Sequence, residues 1–114
     1  MKFVDELKRY TESDRLVDKE QDYRAAEKLV NQIFKKFEKT CRKAAKKGKR
    51  SCVIGSFSCR KSATFRATLK SFIKTRIDAE YPGIIINYKA HTTEVIPGHV
   101  VSYISIQASW YSDV

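Results

Sequence analysis

The stretch SCVIGSFSCRKSATFRATLKSFIKTRIDAEY, Ser51–Tyr81, decides the fold, because it changes from a strand pattern to a helix pattern within a few residues. Its start, Ser51–Phe57, is short, partly β-branched and flanked by turn residues, which predicts a strand. Further on, apolar residues recur at spacings of three and four and Ser62 is a suitable N-cap, which predicts a helix over 62–81. A Pro-Gly pair then ends this helix. The stretch is therefore a strand–turn–helix unit.

N-terminal to the stretch Ser51–Tyr81, the sequence predicts one long helix and a separate short element. From residue 22 onward, apolar residues keep helical spacing, and Gly48 is a suitable C-cap, so we predict a long basic helix over 22–48. Residues 1–21 are predicted to form an N-terminal helix or arm. The segment TESD, Thr11–Asp14, is predicted to interrupt it.

C-terminal to the stretch Ser51–Tyr81, residues 84–111 are predicted to form a β-hairpin. The segment Ile96–His99 reads IPGH, the sequence of a type II turn with Pro followed by Gly. The residues after it, Val100–Trp110, alternate between two faces as a strand does. The sequence therefore ends in two paired strands joined by a tight turn.

The hairpin register follows from the turn. Pairing Val95 with Val100 across the turn would place Tyr88 opposite Gln107. The same alternation puts Tyr103 and Gln107 on one face of the last strand. We expect that face of the sheet to be open to water or to a partner.

Together these elements predict an α+β fold in one domain, residues 1–114, in the order α-α-β-α-β-β. A right-handed crossover through the helix 62–81 would lay the first strand parallel to the next, while the hairpin strands are antiparallel. We therefore expect a mixed sheet of about three strands, ending in the C-terminal hairpin. Two long helices are expected to pack on one face of it. The 114 residues leave no room for a second core.

The charge is concentrated in the middle of the chain. The formal net charge is +10, and 15 of the 23 basic residues lie between residues 35 and 76, where Glu38 is the sole acidic residue. The segments on either side are close to neutral or slightly acidic. Solubility alone would be served equally well by scattered charges, so this distribution indicates a partner of opposite charge.

The basic residues of the two helices predict a surface for a polyanion, because like charges four residues apart repel each other and phosphates would neutralise them. We predict a small, non-enzymatic protein that binds DNA or RNA through phosphate contacts with little sequence specificity. The surface requires the C-terminal half of the helix 22–48 to lie beside the start of the helix 62–81. The residues predicted to form it are Lys39, Arg42, Lys43, Lys46, Lys47, Arg50, Arg60, Lys61, Arg66 and Lys70.

A second hypothesis is a protein-interaction module, such as a small inhibitor or accessory protein of a phage or mobile element. In that case the basic face would dock on an acidic patch of a larger protein, or the hairpin would dock instead. Binding to naked nucleic acid separates the two hypotheses, since only the first predicts it.

The segment GSFSCRKS, Gly55–Ser62, matches the phosphate-loop pattern G-x-x-x-x-G-K-[ST] in part, but Arg60 stands where the second Gly belongs. A nucleotide hydrolase also needs a carboxylate for Mg²⁺ after a second apolar strand, and here that strand ends in Asn87–Lys89. We therefore predict no catalytic residue, no cofactor and no metal. Two roles stay open for the turn: a contact to one backbone phosphate at a helix N-terminus, or a simple N-cap at Ser62.

The cysteines and the N-terminal residues predict the compartment. Three cysteines, an odd number without paired spacing, are typical of free thiols in a reducing compartment. The N-terminal sequence MKFVDELKRY lacks the apolar stretch of a secretory signal or a membrane span. We therefore expect a cytoplasmic protein that does not contact membranes.

Overall fold

A computed structural model describes the backbone of residues 2–111 and the side chains of residues 3–9 and 19–111. Within the described residues, no helix carries the long apolar stretch that crossing a membrane requires. The structure confirms the predicted α+β class, the single small domain and the C-terminal hairpin. Its elements, in chain order, are α1 Lys2–Lys46, β1 Ser51–Ser58, α2 Ala63–Glu80, β2 Ile85–Ile96 and β3 His99–Ser109.

Helix α1 joins the two predicted N-terminal segments end to end. It runs for 45 residues, so the break expected at Thr11–Asp14 does not interrupt it. The reason is that this segment contains neither Gly nor Pro, and Thr, Ser and Asp inside a helix cost only a few tenths of a kcal/mol each, roughly. The C-terminal end is as predicted: Gly48 has a φ of 79°, the left-handed conformation that commonly follows a helix.

The sheet is antiparallel throughout, rather than mixed. The strand order is β1-β3-β2, and β3 pairs with both neighbours in antiparallel fashion. β1 and β2 do point the same way, as the predicted crossover through α2 requires. They are not adjacent, however, because the last strand of the hairpin inserts between them and forms hydrogen bonds with both.

The hairpin register is correct at the turn and shifted by one residue beyond it. Ile96 pairs with His99, and Gly98 has the positive φ of 83° that a type II turn requires. An irregularity between Glu94 and Ile96 then leaves Val95 as an extra residue, so that Tyr88 lies opposite Ile106 rather than Gln107. Register is set by burial, because a shift of one residue moves each side chain to the other face. This bulge brings Tyr88 to the buried face.

The core lies between the two helices and one face of the sheet, as predicted. Its largest fully buried side chains are Leu69 and Ile73 of α2 and Ile106 of β3. Phe34 and Phe37 of α1 are also buried there. Burying one such side chain contributes roughly 1.5–3 kcal/mol relative to leaving it exposed.

The two helices run parallel to each other across the sheet. The Ser62 hydroxyl, at the start of α2, donates to Asp22 Oδ2 at 2.6 Å. The Tyr81 hydroxyl, just past the end of α2, donates to Glu38 Oε1 at 3.3 Å. The C-terminal end of α1, from Glu38 onward, therefore lies beside the end of α2, not beside its start, which is the reverse of what a single basic surface required.

The hairpin extends beyond the rest of the sheet as a two-stranded arm. β1 reaches only as far as the pair Ser58–Tyr103, whereas β2 and β3 continue to pair up to the turn. The arm exposes apolar side chains, among them Val95, Ile96 and Val100. These apolar side chains of the arm therefore lie outside the core and are exposed to solvent.

Candidate nucleic-acid interface

The ten residues predicted to form one basic surface occupy three places in the structure. Nine of them are exposed, and Arg66 is partly buried. Two, Arg60 and Lys61, lie in the turn between β1 and α2, and two more, Arg66 and Lys70, lie on α2. The other six lie at the end of α1 and in the loop after it: Lys39, Arg42, Lys43, Lys46, Lys47 and Arg50.

The end of α1 forms one side of an open cavity, which we call the lysine cavity. Residues three and four apart share a helix face, and the loop after α1 and the start of β1 close the opposite side. All five lysines of the lining are exposed and none of the lining residues is acidic, so positive potential is concentrated there. The lining consists of Lys36, Lys39, Thr40, Lys43, Ala44, Lys47, Lys49 and Cys52.

Three of the predicted residues, Lys39, Lys43 and Lys47, belong to the lysine cavity, and two of its lysines were not predicted. Lys36 lies three residues before Lys39 on the same helix face, so helical spacing alone could have identified it. Lys49 lies in the loop beyond the helix, where no periodicity applies. Only the return of the chain into β1 places it at the cavity.

The other predicted residues at the end of α1 have different surroundings. Arg42 forms an exposed ion pair with Glu38, with 3.4 Å between Arg42 Nη2 and Glu38 Oε2, so a carboxylate partly offsets its charge. The Arg50 guanidinium lies 5.3 Å from the centroid of the Tyr111 ring. Lys46 is exposed in the last turn of α1 but does not line the cavity. These three residues therefore belong to the flanks of the lysine cavity.

Two lysines of α2, Lys70 and Lys74, lie beside the opposite edge strand, β2. Lys70 Nζ lies 4.9 Å from the centroid of the Tyr88 ring on β2, whereas the lysine cavity reaches Cys52 on β1. β3 separates these strands, so β1 and β2 are two strand spacings apart, about 10 Å. Burial raises the pKa of Tyr88 to about 12, so its ring faces Lys70 as a neutral phenol. Arg66 and Lys70 are therefore not part of the lysine cavity.

The turn after β1 is not built as a phosphate loop. Gly55 and the three residues after it belong to β1, which leaves no loop to wrap a phosphate. Ser62 is the N-cap of α2, since its Oγ accepts a hydrogen bond from the Phe65 N–H at 3.1 Å. The same hydroxyl donates to the carboxylate of Asp22, which places a negative charge of the protein itself beside this helix N-terminus. Of the two open roles, the structure shows the N-cap.

Gly55 has a packing role instead. A Cβ placed on Gly55 would lie 2.9 Å from both Cγ1 and Cδ1 of the buried Ile33 side chain. The φ of Gly55 is not positive, so the backbone conformation itself does not require glycine. The absence of a side chain is what allows α1 to approach β1 closely.

Replacing Gly55 with alanine is therefore expected to destabilise the fold by about 1–3 kcal/mol, because Ile33 must shift within a packed core. Urea unfolding measures the change, and Ser56→Ala, at the exposed neighbouring position, is the control, with an expected effect within about 0.5 kcal/mol. Adding Ile33→Ala should relieve part of the effect, so that the double variant is less destabilised than the sum of the single variants. An unchanged free energy of unfolding in Gly55→Ala would contradict this role.

Comparison with protein-family models, with curated proteins and with solved structures finds no match to this chain.

Proposed function

We propose that this protein binds DNA or RNA through contacts between the lysine cavity and backbone phosphates, without catalysing a reaction. The observation that supports the proposal is the concentration of five lysines, and no acidic residue, in the lining of one cavity. Mutual repulsion of these ammonium groups destabilises the unbound protein, and a chain of phosphates relieves that repulsion. A polyanion therefore gains affinity from a charge arrangement that folding alone does not favour.

The chemistry of the cavity also supports low sequence specificity. Its cations are all lysines, and a lysine ammonium acts as a compact point charge on a flexible stem. Reading of guanine in DNA commonly uses the planar fork of arginine in a bidentate contact. Phosphates are contacted well by point charges, and phosphate contacts carry no sequence information. The partner is therefore proposed to be recognised by its backbone.

The experiment is fluorescence anisotropy with labelled random-sequence duplex DNA, single-stranded DNA and RNA over a series of salt concentrations. If the five lysines each neutralise one phosphate, the log–log slope of affinity against salt is about −4.5 for duplex DNA and about −3.5 for a single strand. Affinity for duplex DNA should then fall roughly 10²–10³-fold between about 50 and 200 mM salt. Absence of binding to all three probes at low salt would overturn the proposal.

A second candidate function, docking on a larger protein, is favoured by the hairpin arm. Val95, Ile96 and Val100 are 65%, 61% and 53% exposed, and the turn between them also presents Pro97. Apolar side chains grouped at the end of an arm are typical of interaction sites. In this candidate function, the protein is a small inhibitor or accessory protein of a phage or mobile element that docks on a larger partner. It predicts that naked nucleic acid fails to bind, so the anisotropy experiment separates the two functions.

The proposed compartment is the cytoplasm. The supporting feature is the odd number of cysteines, three, without paired spacing, which is typical of thiols in reducing surroundings.

A further inference from the structure

Two of the three free cysteines lie in contact beneath the lysine cavity. Cys41 of α1 and Cys52 of β1 have their sulfur atoms 3.6 Å apart, and both side chains are partly buried. Cys52 also belongs to the lining of the lysine cavity. A pair of thiols is thus placed where the cavity gives access from solvent.

The sulfur atoms are close enough for a disulfide after a small movement. A disulfide bond measures about 2.05 Å, so the two atoms must approach each other by about 1.5 Å. Cys59 cannot substitute for either of them. It follows the far end of β1, seven residues after Cys52, which corresponds to about 23 Å along an extended chain.

We propose that Cys41 and Cys52 form a thiol–disulfide exchange site for anionic disulfides, of which glutathione disulfide is an example, and that the lysine cavity attracts these reagents. The carboxylates of such a disulfide would face the same ammonium groups that are proposed to contact phosphates. The inference does not depend on nucleic-acid binding, because it concerns the cysteines and the charge around them.

The reaction proceeds in two exchanges. Cys52, which lines the cavity, attacks one sulfur of glutathione disulfide; a Cys52–glutathione mixed disulfide forms and one glutathione leaves with its thiol restored. Cys41 then attacks the Cys52 sulfur, which forms the Cys41–Cys52 disulfide and releases the second glutathione. The two protein thiols lose two electrons and two protons in total, and glutathione disulfide gains them.

The surroundings of the two sulfurs assign the order of attack. Burial, together with the hydrogen bond to Cys52, raises the pKa of the Cys41 thiol to about 12, so Cys41 stays protonated at neutral pH. Since the thiolate is the attacking species, Cys41 is a poor first nucleophile. Cys41 lies behind Cys52, so it attacks only once the mixed disulfide is held against it, and it gives up its proton to solvent in that slower second exchange.

The disulfide would join the end of α1 to the start of β1 and close the loop between residues 41 and 52. Closing a loop of this length restricts the unfolded chain, and a rise in Tm of roughly 5–15 °C is expected on oxidation. Reduction with dithiothreitol should return Tm to its original value. Oxidation therefore stabilises the wall of the lysine cavity.

The test compares three disulfides of different charge: glutathione disulfide, which is anionic, 2-hydroxyethyl disulfide, which is neutral, and cystamine, which is cationic. Rates of thiol loss in the Cys59→Ser variant, which keeps both thiols of the pair, are divided by the rates for a neutral reference thiol, N-acetylcysteinamide, so that intrinsic reactivity cancels. The normalised rate should be at least about tenfold higher for glutathione disulfide than for cystamine at low salt, and the ratio should shrink as salt is added. Equal normalised rates would overturn the proposal.

Variants of the cysteines identify which sulfur atoms react with glutathione disulfide. In the Cys59→Ser background, Cys41→Ser should accumulate a mixed disulfide on Cys52, visible by mass spectrometry as one added glutathionyl group. Cys59→Ser is the matched control, and it should lose both remaining thiols without gaining a stable adduct. If Cys59→Ser keeps both thiols under conditions that oxidise the reference thiol, the exchange site does not exist. Circular dichroism of each reduced variant confirms that the fold is intact before oxidation.

Discussion

Replacing Lys39, Lys43 and Lys47 together with glutamate is expected to weaken nucleic-acid binding about 100-fold at about 0.1 M salt. These residues lie four apart, two of them on α1 and Lys47 directly after its last residue, and they line the same cavity. Each replacement removes an attraction to phosphate and adds a repulsion, which after screening amounts to about 1 kcal/mol per residue. Three such changes give roughly 3 kcal/mol, which corresponds to about 100-fold in affinity, because the residues act on one continuous phosphate backbone. The salt dependence should also become shallower, since fewer counterions are released.

The matched control replaces Lys70, Lys74 and Lys89 with glutamate. All three are exposed, the change in net charge is identical, and they lie on α2 and β2, at the opposite edge strand. Anisotropy with the same duplex should show a much smaller loss of affinity for this variant. If both triple variants lose affinity equally, net charge rather than the lysine cavity governs binding, and the assignment of the interface is wrong.

Replacing Ile106 with alanine is expected to lower the free energy of unfolding by about 3–4 kcal/mol. Ile106 is completely buried on the central strand β3, and its side chain faces the helices. Its Cδ1 would lie 3.6 Å from a Cβ at Gly55, and Tyr88 is its partner on β2. Removing the side chain would therefore leave a cavity at the point where β1, β2 and the helices meet. A domain of this size has a total stability of about 5–15 kcal/mol, so the loss is a large fraction of it.

Val100→Ala is the control for this prediction. Val100 belongs to the same strand and is also β-branched, but it is 53% exposed on the hairpin arm. Its replacement should change stability by no more than about 0.5 kcal/mol. Urea unfolding followed by circular dichroism measures both variants. A comparable loss in the two would show that the arm is packed as tightly as the core, contrary to the burial of these side chains.

Much of the fold could be predicted from local sequence patterns. The apolar spacing before Gly48 and after Ser62 identified both long helices, and Pro97-Gly98 identified the turn of the hairpin. These signals are local, because helix periodicity, caps and tight turns depend on residues within a few positions of one another. The uninterrupted helix through Thr11–Asp14 was missed because polar residues that favour turns are also tolerated in helices.

The candidate site could be predicted only in part. The basic helix end is a local feature, and Lys39, Lys43 and Lys47 were identified from it. The prediction that Arg66 and Lys70 share one surface with these lysines was wrong, because it depends on which part of α2 lies beside the end of α1. That arrangement is decided by long-range contacts such as Ser62 with Asp22, separated by 40 residues.

The sequence by itself therefore determined the helices, the strands, the turn and the concentration of positive charge, since each depends on neighbouring residues. The tertiary structure decided the rest: the central place of β3, the bulge at Val95, the separation of the predicted basic residues into three places, and the contact of Cys41 with Cys52. The physical reason is that these features minimise the exposure of apolar surface over the whole molecule. Ile106 and Tyr88 both lie on the buried face as cross-strand partners. The sequence around either residue does not indicate that the other one is its partner.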